Sequence, residues 1–183
     1  MEDRNIGTAP AGRVLPASND FACRVRFIPL LAALLFAAPS GADTLQGRVV
    51  AVTDGDTVKV LDDSNTQWKI RLMGIDAPEK KQAFGARSKA NLSDLVFGKT
   101  VTVEYSKTDR YGRTVGKILV NGIDANLEQI KAGMAWHYKK YAKEQLFEDR
   151  EIYARAEELA SAGRRGLWSE AEPVPPWDWR KAK

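Results

Sequence analysis

Sulfur and imidazole are almost missing from this chain: its 183 residues include one cysteine, Cys23, and one histidine, His137. A lone cysteine closes no intrachain disulfide, and a zinc site of three or four nitrogen and sulfur ligands cannot be assembled. One histidine allows no HExxH helix, and neither a G-x-S-x-G elbow nor a G-x-x-x-x-G-K-[ST] loop occurs. A Ser-His-Asp triad through His137 stays formally open, although nothing marks a serine as its nucleophile.

Long apolar runs are scarce as well. The uncharged run from Phe27 to Ala38 is too short to span a bilayer as a helix. Arg24 and Arg26 precede it and the small residues Ser40 and Ala42 follow it, which reads as an export signal cleaved after Ala42. A buried core helix is the alternative. The expected organisation is a lead and signal peptide over residues 1–42, a domain over 43–172 and a Pro/Trp-rich tail over 173–183. Cys23 would leave with the signal, giving a cysteine-free chain in the periplasm or the medium, with no stable membrane association.

A dominant charge is the third absence. The full chain carries a net charge of +4, and without residues 1–42 it has 24 basic against 21 acidic residues. So mild an excess permits a polyanionic partner without requiring one.

What is present is a short-strand pattern. Gln46–Thr53, Thr57–Leu61 and Gln67–Met73 are β-branched or alternating runs separated by Asp-Gly and Asp-Asp, and they read as three strands. Phe84–Gly98 has helical apolar spacing and ends on glycine. Thr100–Tyr105 and Thr114–Val120 read as strands four and five, with a turn at Asn121-Gly122. Asp124 is placed to cap a helix ending at Gly133, and a further helix is expected from Glu144 to Ala162. The tail from Glu172 is too proline-rich for regular structure and is expected to lie extended over the surface. No internal repeat or linker interrupts 43–172. An α+β fold follows, and this order suits a small closed barrel such as the oligonucleotide/oligosaccharide-binding (OB) type.

One stretch asks for chemistry. If strands two and three form a hairpin turning near residue 64, Arg71 faces Thr57 and Asp56, and Asp76 joins Asp54 and Asp56 at the same rim. Carboxylates gathered there would attract a hard cation, Ca2+ or Mg2+, and an arginine beside them could grip an anion that the cation also binds. Taken singly, Asp54-Gly55-Asp56 reads more readily as an ordinary turn, and Asp76 as an ordinary pre-turn residue, than either reads as a metal ligand.

"DGDTVKV", "IRLMGIDAPE" and "DRYGR" (Asp109 to Arg113), in this order and spacing, resemble the staphylococcal nuclease family. The likeness runs from about Leu45 to Trp168. It implies a five-stranded OB-fold barrel with three helices and a Ca2+-dependent phosphodiesterase acting on DNA and RNA, with single strands preferred and 3′-phosphate ends left. It further implies Asp56 and Asp76 as side-chain metal ligands, the Ala77 carbonyl as a third, and Glu79 as the residue that orients or deprotonates water. Arg71 and Arg113 would clamp the scissile phosphate, and Arg110 and Tyr111 would touch a neighbouring one. Tyr138 and Tyr141 are the candidates for base stacking, with a place in the core as their alternative. The family's best-known member has threonine at the position of Ala77 and a longer loop after the position of Glu79. A monomer is expected. The rival reading is a secreted, non-catalytic OB-fold nucleic-acid-binding module, and a third is an extracellular structural domain.

Overall fold

The computed structural model describes residues 43–182. The lead and export signal read over residues 1–42, with Cys23, lie outside the described residues.

The first strand, β1 (Asp43–Asp54), is long enough to serve two neighbours. Its first half pairs antiparallel with β5 (Thr100–Thr108) and its second half with β2 (Thr57–Leu61), with register breaks between Val49 and Ala51 and between Val52 and Asp54. Such bulges increase local bending, which lets one strand turn the corner of a barrel. Gly47 lies at the crossing. A Cβ there would come within 2.7 Å of Val60 Cγ1, so the close approach admits no side chain.

β2 forms a hairpin with β3 (Gln67–Leu72), with Thr57 opposite Arg71, the pairing that the sequence predicts, and the two-residue β4 (Ile75–Asp76) follows outside the barrel sheet. β5 pairs with β6 (Thr114–Val120), and β6 runs parallel to β3 through Ile70–Thr114, Arg71–Val115 and Leu72–Gly116. That last pairing closes the ring, giving the five-stranded OB-type barrel. Val49, Val58, Val60, Ile70, Leu72, Val101, Val103 and Ile118 fill its interior. Full burial of an aliphatic side chain contributes about 1.5–3 kcal/mol, against about 0–1 kcal/mol for a surface ion pair, so this interior holds the fold.

Three helices cover the barrel. α1 (Gly85–Val96) buries Leu92 and Val96, α2 (Ala125–Lys131) buries Ile130, and α3 (Phe147–Ala162) buries Tyr153, Ala156 and Ala160. Asp124 caps α2 as expected, accepting from the Leu127 N–H at 3.0 Å, and its other oxygen accepts from Tyr153 Oη at 2.7 Å. No described helix is long and apolar enough to cross a membrane.

Several assignments differ from expectation, and the first strand already starts at Asp43 and not Gln46. β5 continues past Tyr105 because, after a bulge, Lys107 and Thr108 still pair with Val115 and Thr114. α3 starts at Phe147 and not Glu144, since Lys139–Glu144 is a 3-10 stretch broken by a non-helical Tyr141. The tail is not extended. Pro176–Trp179 forms a helical turn, α4, with proline at a position where a missing N–H costs nothing.

Candidate active site

The site lies at the rim where β1, β3 and the β5–β6 turn end. Asp54, Gly55 and Asp56 connect β1 to β2, and a Cβ on Gly55 would collide with Ser88 Oγ and approach Ala77 Cβ to 2.7 Å. The glycine therefore lets this acidic loop lie flat against α1. Gln129, fully buried on α2, donates from Nε2 to the Gly55 carbonyl at 2.7 Å and to the Ser88 carbonyl at 3.1 Å, which fixes the loop from behind.

Ile75 and Asp76 form a two-residue strand antiparallel to Trp136-His137. This short pairing aims Asp76 at Asp56 and leaves it 1% exposed. Asp56 accepts from Thr57 Oγ1 at 3.0 Å and from the Ala77 N–H at 2.9 Å, so it ties the two acidic segments together. Arg71 reaches across from β3. Its Nη2 is 3.0 Å from Asp76 Oδ1 and 3.2 Å from Asp56 Oδ2, while Nη1 donates to the carbonyls of Leu72 at 2.9 Å and Ile75 at 3.0 Å. The guanidinium is thereby both counter-ion and brace.

On the opposite wall, Asp109 organises the "DRYGR" turn. Its Oδ1 accepts from the N–H groups of Tyr111 at 2.9 Å and Arg113 at 3.0 Å, and its Oδ2 accepts from Arg113 Nε at 2.8 Å. Burial pushes its carboxyl up, but these hydrogen bonds outweigh burial and hold it below the usual range. Arg113 is thus held in a fixed orientation. Arg110 lies over the Tyr111 ring at 4.8 Å and donates to its hydroxyl at 2.7 Å.

One cleft of about 750 Å³ collects every residue expected from the sequence: Asp56, Arg71, Asp76, Ala77, Glu79, Arg110, Tyr111, Arg113, Tyr138 and Tyr141. Neither tyrosine of the last pair is in the barrel core. Tyr141 is exposed and Tyr138 is half-buried on the cleft wall, with ring centroids 5.2 Å apart.

A calcium ion is the group that the family likeness implies. Among the described residues no three carboxylate or imidazole side chains alone are grouped to hold a metal. The donors on offer are the Asp56 and Asp76 carboxylates and the Ala77 carbonyl, all hard oxygens, which suit a cation that completes its shell with water. The crowding of charge agrees with this. Asp54 is pushed up to about 6 by burial and then by the neighbouring charge of Asp56, and burial likewise raises Asp76 against the pull of Arg180 and Arg71. The residues fit a calcium ion.

Arg180 was not expected here. It comes from the tail, placing Nη2 2.7 Å from Asp76 Oδ2 and Nη1 2.8 Å from Glu79 Oε1. Nor did the sequence point to Gln129, which looks like any polar helix residue. The only local flag for Arg180 is the aromatic "WDW" before it, since its partners are about a hundred residues away in the chain.

Comparison with known proteins agrees with this architecture. The sequence model described as "Staphylococcal nuclease homologue" matches residues 69–170, more than half of the chain. An "Uncharacterized endonuclease" of Escherichia coli O157:H7 is 43% identical over 159 residues, 86% of this chain and 99% of the relative. A "Micrococcal nuclease" of Shigella flexneri is 39% identical over 167 residues, 86% of this chain and 92% of the relative, and "Protein ParB" of Escherichia coli is 40% identical over 166, covering 86% and 90%. The barrel, its acidic rim and these matches together show that the chain belongs to the staphylococcal nuclease family.

Proposed function

We propose that this protein is an exported, monomeric, Ca2+-dependent phosphodiesterase that hydrolyses DNA and RNA and leaves 3′-phosphate ends. The observation that carries the reading is the meeting of Asp56, Asp76, Glu79 and two braced arginines in one cleft. A module that only binds nucleic acid has no use for a buried Asp76 facing a carboxylate.

Asp56, Asp76 and the Ala77 carbonyl would hold the ion, which when bound supplies Lewis-acid stabilisation of charge on the phosphate oxygens. Arg71 and Arg113 offer planar guanidiniums to the same non-bridging oxygens, a fork that lysine lacks. Glu79 holds or deprotonates the attacking water. Water oxygen bonds to phosphorus, the bond to the 5′ oxygen breaks, and the water proton passes by way of Glu79 or solvent to that leaving oxygen. Tyr138 and Tyr141 provide rings for unpaired bases, which favours single strands.

Three experiments test this reading. Excess chelator should abolish cutting, and Asp56→Ala should remove both activity and the calcium-dependent rise in Tm. Full activity in chelator defeats the mechanism. For export, intact mass of secreted material should give a chain starting at Asp43, and a mature chain that still contains Cys23 defeats the cleavage assignment.

A further inference from the structure

The tail is fastened at three points. Gln82 Nε2 donates to the Val174 carbonyl at 2.6 Å, and Gln82 Oε1 accepts from the Glu79 N–H at 3.1 Å, joining the tail to the catalytic loop. The Trp177 ring stacks on Tyr138 with centroids 5.4 Å apart and planes 16° from parallel. It also meets Trp136 edge-on at 5.7 Å, and Trp136 in turn meets Trp168 at 4.2 Å. α4 then turns the chain so that the Arg180 guanidinium lies between Asp76 and Glu79.

Both tail side chains occupy places with another use. An indole stacked on Tyr138 covers the face on which a nucleobase would stack. A cationic guanidinium on the Asp76 carboxylate holds an oxygen that a divalent cation would need, and it ties the water-handling Glu79 in the same grip. We propose that residues Trp177–Arg180 are a built-in competitor for the site's own ligands, closing it until calcium and a nucleic-acid strand displace them. The inference rests on the calcium-nuclease reading above. A competitor of this kind weakens apparent affinity by the fraction of molecules left open, so loosening the tail must tighten ligand binding.

The test is calorimetric titration of the full folded protein with CaCl2, with no turnover involved. Arg180→Ala should lower the calcium Kd about tenfold if the closed form is held by roughly nine molecules in ten. Trp177→Ala changes no charge near the metal ligands, yet it should also lower that Kd and should strengthen binding of a short oligothymidylate in chelator. Circular dichroism melts check that each variant is folded, and Trp177→Phe, which keeps a stacking ring, should restore wild-type values. Wild-type calcium affinity in both alanine variants, or tightening in Arg180→Ala alone, overturns the competitor. Unchanged calcium affinity with a raised KM in Arg180→Ala would make Arg180 a substrate-binding group and would overturn it too. If no form binds calcium and wild type cuts in chelator, the calcium reading falls and takes this proposal with it.

Discussion

Glu79→Gln should lower kcat by about 100- to 10,000-fold while nucleic acid still binds. Glu79 follows Pro78, whose ring stiffens the loop, its backbone N–H donates to Gln82 Oε1 at 3.1 Å, and its carboxylate is held by Arg180 Nη1 at 2.8 Å. The amide keeps the size and one acceptor oxygen but loses the charge proposed to align water and take its proton. Calcium affinity should not fall, because Glu79 is not among the residues proposed to touch the ion, and it should rise as far as losing the Glu79 ion pair loosens Arg180. Steady-state kinetics, with oligonucleotide binding measured in chelator, separate the two effects. A near-normal rate would mean that another group activates the water.

Arg71→Ala should cost both stability and turnover. The guanidinium is only 13% exposed and bridges two carboxylates and two carbonyls at the barrel seam. Removing one partner from a buried ion pair costs about 3–5 kcal/mol, and Arg180, still on Asp76, should hold the loss to the lower end, about 3 kcal/mol. Denaturant melts in chelator would measure it. Loss of a guanidinium proposed to stabilise transition-state charge should lower kcat about 100-fold or more. Arg71→Lys should recover part of the stability but little of the rate, since an ammonium cannot copy the fork. An Arg71→Ala protein with wild-type kcat and a higher KM would make Arg71 a binding residue. Arg113→Ala offers the contrast: its partner Asp109 is a turn residue close to solvent, so the stability loss should be smaller.

Strand alternation and the Thr57–Arg71 register were legible because both depend on near neighbours. The period-two pattern of β2 and β3 and the Asp-Asp turn between them leave one register that buries Val58, Val60 and Ile70. The acidic rim followed from that register. Legibility failed where a side chain's place depends on a distant partner. Nothing near Gln129 says that it will bond Gly55, and nothing near Arg180 says that it will reach Asp76. The tail was misread for a physical reason. Prolines discourage long helices, but Pro176 starts a single turn well, and the tryptophans supply stacking that an extended segment would waste.

The seam between β3 and β6 also governs when the cleft can exist. Ile70 meets Thr114 and Leu72 meets Gly116 only after the intervening helix and β5 are in place, so ring closure is a long-range event on the folding path. Arg71 sits in that seam, and the "DRYGR" wall is the turn that leads into it. An unfolded chain, or one still missing β6, therefore has the aspartates in its sequence but no assembled cleft. Barrel closure and assembly of the cleft are one event, set by the same long-range pairing.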